Sequence, residues 1–213
     1  MLVKERMTPH PITIHPDTSV TDALNFMRQN KVRRLPVLDK HGQLVGIVSE
    51  KDLLYASPSP ATSLSVYEIG YLLSKLTVKE IMTRNVITVC ADCPIEDAAR
   101  TMVDNRVGGL PVTDNGTLVG IITETDLFKV FLEMLGAREQ GVRISLSVPN
   151  KPGILARLAG QVAGLGGDIV ALGTFYGEDR VHSRITMKVQ GAAKDTLAGA
   201  LEQADVHVLD IRE

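Results

Sequence analysis

The sequence predicts a mixed α/β protein, α+β in overall class. Two similar strand-helix-strand-strand-helix copies pack around a pseudo-twofold axis, and a ferredoxin-like βαββαβ unit follows them. Three observations predict this. The first two thirds of the chain repeat themselves, the apolar residues within each copy switch between helical and strand periods, and beyond Gly136 the pattern changes to alternating strands around two helices. A chain of 213 residues, 44% hydrophobic and 23% charged, carries enough apolar surface for one large or two small cores, and two domains suit that length.

The repeat is legible residue by residue. Val3-Lys4-Glu5-Arg6-Met7-Thr8 recurs as Val78-Lys79-Glu80-Ile81-Met82-Thr83, and Leu35-Pro36-Val37 recurs as Leu110-Pro111-Val112, both at an offset of 75. After a one-residue deletion near His41, Gly42-Gln43-Leu44-Val45-Gly46-Ile47 matches Gly116-Thr117-Leu118-Val119-Gly120-Ile121. The copies span 1–56 and 78–135. Neither alone buries enough apolar surface to stand by itself, so the two should pack face to face.

Within the first copy Val20, Ala23, Leu24 and Met27 fall at i, i+3, i+4 and i+7, the stripe of an amphipathic helix, with Ser19 and Asp22 as a capping pair. Ile95, Ala98, Ala99 and Met102 repeat the stripe in the second copy, with Pro94 at the first helical position. Leu35 to Leu38 and Leu44 to Val48 are short strands around Asp39-Lys40-His41-Gly42. The second copy turns instead on Asp114-Asn115-Gly116, where Asn-Gly favours a primed hairpin turn. Between the copies, residues 57–77 hold a linker, Ser57-Pro58-Ser59-Pro60, and a helix expected from Val66 to Leu76.

The C-terminal unit, 141–213, opens with a half-buried strand through Val142, Ile144, Leu146 and Val148. The turn Asn150-Lys151-Pro152-Gly153 leads into a helix carrying Leu155, Leu158 and Val162, which Gly164-Leu165-Gly166-Gly167-Asp168 ends. Ile169 opens a second strand, Val181 to Val189 form a third, Ala192 to Ala204 a second helix, and Val206 to Ile211 a last strand.

Composition narrows the function classes. A formal charge of −2 argues against a phosphate-backbone partner, which demands a dense basic face, so nucleic acid is not the expected partner. The N-terminus lacks the apolar run of a signal peptide and no stretch approaches a membrane helix, which makes the cytoplasm the default location and a membrane no partner. Cys90 and Cys93 have the spacing of an activated thiol pair or half a zinc site. Nothing completes such a site among His10, His15, His41, His182 and His207, and the pair equally suits a plain strand-to-helix turn. No metal is expected.

The chemistry concentrates at a repeated strand end, Gly46-Ile47-Val48-Ser49-Glu50-Lys51-Asp52 and Gly120-Ile121-Ile122-Thr123-Glu124-Thr125-Asp126. A hydroxyl residue at a helix start offers an O–H beside backbone N–H groups, a place that suits phosphate. Three residues on, Asp52 or Asp126 offers acceptors for a ribose diol. The same Ser/Thr-x-x-Asp pattern also describes an ordinary helix cap. Before the Leu-Pro-Val strand, Arg33-Arg34 stands where the second copy has Gly108-Gly109, so the copies should be unequal. Two guanidinium groups would take a polyphosphate bidentately, or form a solvated edge beside a packing glycine pair.

The Met-Thr start, the Leu-Pro-Val strand and the Gly-apolar-apolar-Ser/Thr-x-x-Asp end resemble the CBS domain in its tandem, Bateman arrangement. The insert between copies is similar to that of acetoin-utilisation AcuB-like proteins. This resemblance implies a regulatory adenine nucleotide of the AMP, ADP or ATP class as ligand, with Ser49 and Asp52 or Thr123 and Asp126 on phosphate and ribose. It also places Thr13 and Thr88 beside the adenine. Asn150-Lys151-Pro152-Gly153-Ile154-Leu155-Ala156 followed by Gly166-Gly167-Asp168-Ile169 resembles the ACT domain. That family pairs between chains and binds amino acids at residues corresponding to Asn150 and Asp168, with Gly153, Ile154, Leu155 and Ile169 around them. Asp168 departs from the Asn of several amino-acid-binding members, and a unit that only dimerises fits the same residues. Together the two resemblances leave no segment for a catalytic domain and no catalytic cofactor. They imply a homodimeric regulator with an unnamed downstream partner, the alternative being an adaptor with vestigial clefts.

Overall fold

The computed structural model describes residues 1–56, 68, 71, 75–177, 181–203 and 205–213. The linker Ser57-Pro58-Ser59-Pro60, most of the helix expected over 66–76, and Ala204 lie outside the described residues. The chain divides into two compact units, Met1–Leu127 and Phe128–Glu213.

In the first unit a 3₁₀ turn at Val3–Glu5 precedes β1 (Thr8–Pro9), α1 (Val20–Asn30), β2 (Arg34–Leu38), β3 (Leu44–Ser49) and α2 (Glu50–Tyr55). The second copy runs α3 (Val78–Ile81), β4 (Val89–Cys90), α4 (Ile95–Asn105), β5 (Gly109–Asp114), β6 (Thr117–Thr123) and α5 (Glu124–Met134). The predicted stripes are the buried faces: Val20, Ala23 and Met27 of α1 and Ala98 and Met102 of α4 are nearly inaccessible. Ser19 caps α1 by accepting from the Asp22 N–H at 3.1 Å. Pro94 is the N-cap of α4, with Ile95 the first helical residue, one position from the expectation. Asn115 (φ 48°) and Gly116 (φ 81°) both take left-handed conformations, the primed turn that joins β5 to β6.

The two copies exchange their leading segments. Thr8 and Pro9 pair antiparallel with Ile121 and Gly120 of the second copy, while Thr83 of the second copy bridges Ile47 of the first. Consequently β1 is the edge of the four-stranded sheet β1-β6-β5-β4. Each Met-Thr start also delivers a side chain across the pseudo-twofold axis. Met7 lies against the bare backbone of Gly120, and Met82 lies against Gly46, where a Cβ would approach Met82 Cγ to 2.9 Å. Val78 and Met82 thereby complete the core of the first copy with Val20, Leu35, Val37, Val48 and Leu53. This burial fixes the Met and Gly positions of the repeat, since any side chain at the glycine would displace the methionine.

Cys90 and Cys93 form a disulfide. It closes the β4–α4 loop, whose Ala91 and Cys93 carbonyls accept from the Lys4 and Val3 N–H groups at 2.9 Å each. The expected strand-to-helix turn is present, and its sulfurs are bonded to one another.

The second unit contains β7 (Val142–Pro149), α6 (Ile154–Gly164), β8 (Asp168–Tyr176), β9 (His182–Gln190), α7 (Lys194–Leu201) and β10 (His207–Arg212). The second helix is shorter than the span expected from Ala192. The sheet order β10-β7-β9-β8 is the ferredoxin-like one. Leu158 and Val162 of α6 and Leu197 and Leu201 of α7 pack on Ile144, Leu146, Ile185 and Met187. On the other face Gly136 approaches β8 and β9, where a Cβ would stand 2.9 Å from that of Ala171. The buried Ser145 hydroxyl on that face is satisfied by Thr186 at 3.0 Å.

Candidate ligand clefts

The exchange of leading segments builds two clefts, each with walls from both copies. The first, about 330 Å³, has Thr8, His10, Pro11 and Ile12 from the first copy, the stretch Lys31 to Arg34, and Ile121, Thr123, Thr125 and Asp126 from the second. The other, about 300 Å³, mirrors it with Thr83, Asn85, Val86 and Ile87, the stretch Arg106 to Pro111, and Ile47, Ser49, Lys51 and Asp52. No copy owns a cleft: Asp126 shares its cleft with the leading segment and Arg33-Arg34 of the first copy, and Asp52 shares its own with the leading segment, Arg106 and Gly108-Gly109 of the second. Ile12 and Ile121, or Ile87 and Ile47, give each cleft an apolar pair that suits a flat base, and the carboxylate supplies the polar end.

The structure brings Ser49, Asp52, Gly108 and Gly109 together in one cleft and Arg33, Arg34, Thr123 and Asp126 in the other. For Thr13 and Thr88 it places a neighbour instead, since the cleft walls are formed by Ile12 and Ile87, one residue earlier. The two Ser/Thr-x-x-Asp motifs are helix caps in fact. Asp52 Oδ2 accepts from the Ser49 N–H at 2.8 Å and the Ser49 hydroxyl at 2.6 Å, while Ser49 Oγ accepts from the Asp52 N–H at 3.2 Å. Asp126 Oδ2 receives the N–H and hydroxyl of Thr123 at 3.1 and 2.7 Å. Capping occupies one carboxylate oxygen of each Asp and the single proton of each hydroxyl. A ribose can still meet the other oxygen of Asp52, whereas a phosphate would have to draw the Ser49 proton away from Asp52.

The Arg-Arg and Gly-Gly dipeptides meet in space. The Arg34 side chain lies over the glycines of the other copy: a Cβ on Gly109 would stand 3.1 Å from Arg34 Cδ, and one on Gly108 would collide with its guanidinium and with the Glu124 carboxylate. Gly108-Gly109 is therefore the seat of Arg34. Lys31 and Arg106, each the left-handed residue that ends its helix, also line the clefts, as do His10 and Asn85. None of these four belongs to a recognisable motif in the sequence, although the offset of 75 pairs both sets.

In the second unit a pocket of about 660 Å³ lies between the β7–α6 turn and the end of β8. Asn150, Gly153, Ile154 and Leu155 line it, with Thr174, Phe175 and Tyr176 opposite. Gly153, at φ 85°, is the N-cap of α6. Lys151 is held by Asp205 at 2.9 Å, and Arg157 reaches the same carboxylate at 3.1 Å, which together keep Asp205 below the usual carboxylate range. Asp168 and Ile169 are elsewhere. Pro149 pairs with His182 and Asp168 with Gln190, so within one chain Asp168 stands about 26 Å along β9 from the turn, at ~3.3 Å per residue. Ile169 packs on the core.

Among the described residues no group of three or more His, Cys, Asp or Glu side chains is placed to hold a metal ion, and no helix is long and apolar enough to cross a membrane.

Known families match each of the two units, and solved structures match the first. The CBS domain family matches residues 3–59 and 78–133, and the TTHA0829-like ACT domain matches residues 140–212. The CBS domain pair of protein MJ0100, in complex with 5′-methylthioadenosine and S-adenosyl-L-methionine, is 33% identical with a TM-score of 0.53, over 65% of this chain and 98% of that one. CBSX2 in complex with AMP is 36% identical with a TM-score of 0.50, over 62% and 96%. The Vibrio cholerae structure assigned as acetoin utilization protein AcuB is 30% identical with a TM-score of 0.53, over 65% and 96%. CBS and ACT domains are regulatory modules. With its duplicated, segment-exchanged first unit and ferredoxin-like second unit, this chain belongs to the CBS-domain family, as a tandem CBS pair followed by an ACT domain.

Proposed function

We propose that the tandem pair is a non-catalytic sensor of an adenine nucleotide, bound in one or both crossed clefts. The observation that carries this reading is the pairing, in each cleft, of an apolar Ile pair with a helix-start Asp and a cationic rim. Relatives that hold AMP or S-adenosyl-L-methionine at 33% identity or more support it. The base lies between the isoleucines, the carboxylate of Asp52 or Asp126 takes the ribose diol, and the phosphate faces Arg33, Arg34, Lys51 and Arg106. Occupancy biases how the two copies pack, and that bias is the signal. The likeness to AcuB makes acetoin utilisation the pathway to test first.

The pocket beside Asn150 and Gly153 favours a second ligand, a free amino acid whose carboxylate meets the N-terminus of α6. A second copy would have to bring Asp168 to its ammonium group. The edge strand β8, with Phe175 and Tyr176 exposed, favours such a homodimer.

Calorimetry of the whole chain with AMP, ATP and S-adenosylmethionine tests the nucleotide reading. Asp52→Asn combined with Asp126→Asn keeps an acceptor for each cap and removes both charges. The double variant should bind at least tenfold more weakly, since a charge-assisted hydrogen bond contributes about 1.5–3 kcal/mol. Unchanged affinity in the double variant would discard the ribose assignment, and a parent that bound none of the three would leave the adaptor reading in its place.

A further inference from the structure

Between the two clefts lies a crevice of about 210 Å³ whose walls include Arg33, Arg34, Lys51, Glu50 and Glu124. It shares Arg33 and Thr125 with the first cleft and Ser49, Lys51 and Gly108 with the second, while Arg34 lines all three. Arg34 reaches both sides because it lies across Gly108-Gly109, the one place where the copies differ by two whole side chains. The position equivalent to Arg34 in the second copy is Gly109, whose bare backbone gives the Arg34 side chain its seat: a Cβ there would stand 3.1 Å from Arg34 Cδ. Among the described residues, Arg34 is thus the cation that lines both clefts.

Charge and space both limit the crevice. Its three cations face two carboxylates, a surplus of one positive charge, and its volume is that of about seven waters at ~30 Å³ each. Lys51 is already engaged above the Tyr55 ring at 5.3 Å, and Arg33 is exposed. Arg34 shares its seat at Gly108 with the Glu124 carboxylate, which lines the same crevice. Terminal phosphates extending from the two clefts would meet there, at one guanidinium, with like charges close together.

We propose that this crevice is a phosphate site shared by the two clefts, and that competition for Arg34 makes nucleoside polyphosphates bind anticooperatively while unphosphorylated adenosine compounds bind independently. The proposal rests on the nucleotide reading of the clefts. It deepens that reading by making the number of phosphates decide how many clefts fill. A module of this kind distinguishes a singly filled polyphosphate state from a doubly filled adenosine state, which gives it two outputs from one scaffold.

The test separates coupling from mere inequality of the clefts. Asp52→Asn weakens the second cleft and leaves the first intact, and Asp126→Asn does the reverse, with the helix caps retained, so the tight site of each variant reports one cleft. Calorimetry on the full chain then compares the parent with each variant, using ATP and adenosine as probes. The second ATP to bind the parent should be at least tenfold weaker than ATP binding at the tight site of either variant, whereas the adenosine isotherm should equal the sum of the two tight sites. In Arg34→Gln the ATP coupling should fall below threefold. An ATP isotherm that is simply additive in the parent, or coupling that stays tenfold without Arg34, would overturn the proposal. If adenosine binds and ATP is additive, only this inference fails; if neither binds, the nucleotide reading fails with it.

Discussion

The clefts of the first unit and the pocket of the second differ in what completes them. In the first unit each cleft joins a leading strand of one copy to a helix start of the other, so Ile12 meets Asp126 and Ile87 meets Asp52 within a single chain. In the second unit the turn at Asn150 and Gly153 lines a pocket, while Asp168 stands at the opposite end of the sheet. The contrast teaches that internal duplication supplies a partner surface covalently. A single ferredoxin-like unit lacks one, and its edge strand β8 is left exposed at Leu172, Phe175 and Tyr176.

The sharpest way to break this contrast is to loosen the exchange between copies. Met82 belongs to the second copy, yet it is buried in the core of the first and seated on Gly46. Met82→Ala should destabilise the first unit by about 2–5 kcal/mol, the usual cost of emptying a core methionine site. Urea unfolding followed by probes in each unit reads the loss. A loss under 0.5 kcal/mol would mean that the copies are held together by something other than the exchanged segments.

A smaller effect is expected in the second unit. Asp205 ties the β7–α6 turn to the chain before β10 through Lys151 and Arg157, and its carboxyl is held below the ordinary value of 3.8 mainly by the Lys151 hydrogen bond. A carboxylate with a depressed folded-state pKa stabilises the fold above its unfolded pKa and loses that contribution as pH falls through the folded one. The second unit of the parent should therefore lose part of its stability below about pH 3.8. Asp205→Asn should flatten that part of the acid profile and lower the stability at pH 7 by the same amount, which is small because the pair is exposed. Identical acid profiles in parent and variant would remove this tie from the account.

How much of this was legible beforehand depended on range. Local rules carried the helix stripes, the Ser19 cap and the Asn115-Gly116 turn, because each is decided by residues within a few positions. The repeat itself made the tandem pair readable, down to the aligned Ser49-Asp52 and Thr123-Asp126. The exchange of Thr8 and Thr83 between copies left no such trace, since strand partners across the axis are chosen by packing of Met7 on Gly120 and Met82 on Gly46. For the same reason the glycine pair at 108 and 109 could not be recognised as the seat of Arg34. The choice of Ile12 over Thr13 as a cleft wall was equally hidden, because a one-residue shift in an extended segment reverses which side chain faces inward. In the second unit, strand order was readable and strand length was not enough to show how far Asp168 lies from Asn150.

Each cleft is built from both copies, and isoleucine methyl groups report on that construction. Ile12 and Ile121 mark the first cleft, Ile47 and Ile87 the second, and Ile154 and Ile185 the pocket of the second unit. In a methyl-labelled NMR titration of the full chain with AMP, the account predicts that Ile12 moves together with Ile121, or Ile47 together with Ile87, each pair following one binding curve. Shifts confined to the isoleucines of one copy, such as Ile12 with Ile47 while Ile87 and Ile121 stay in place, or no shift at any of the four, would contradict it.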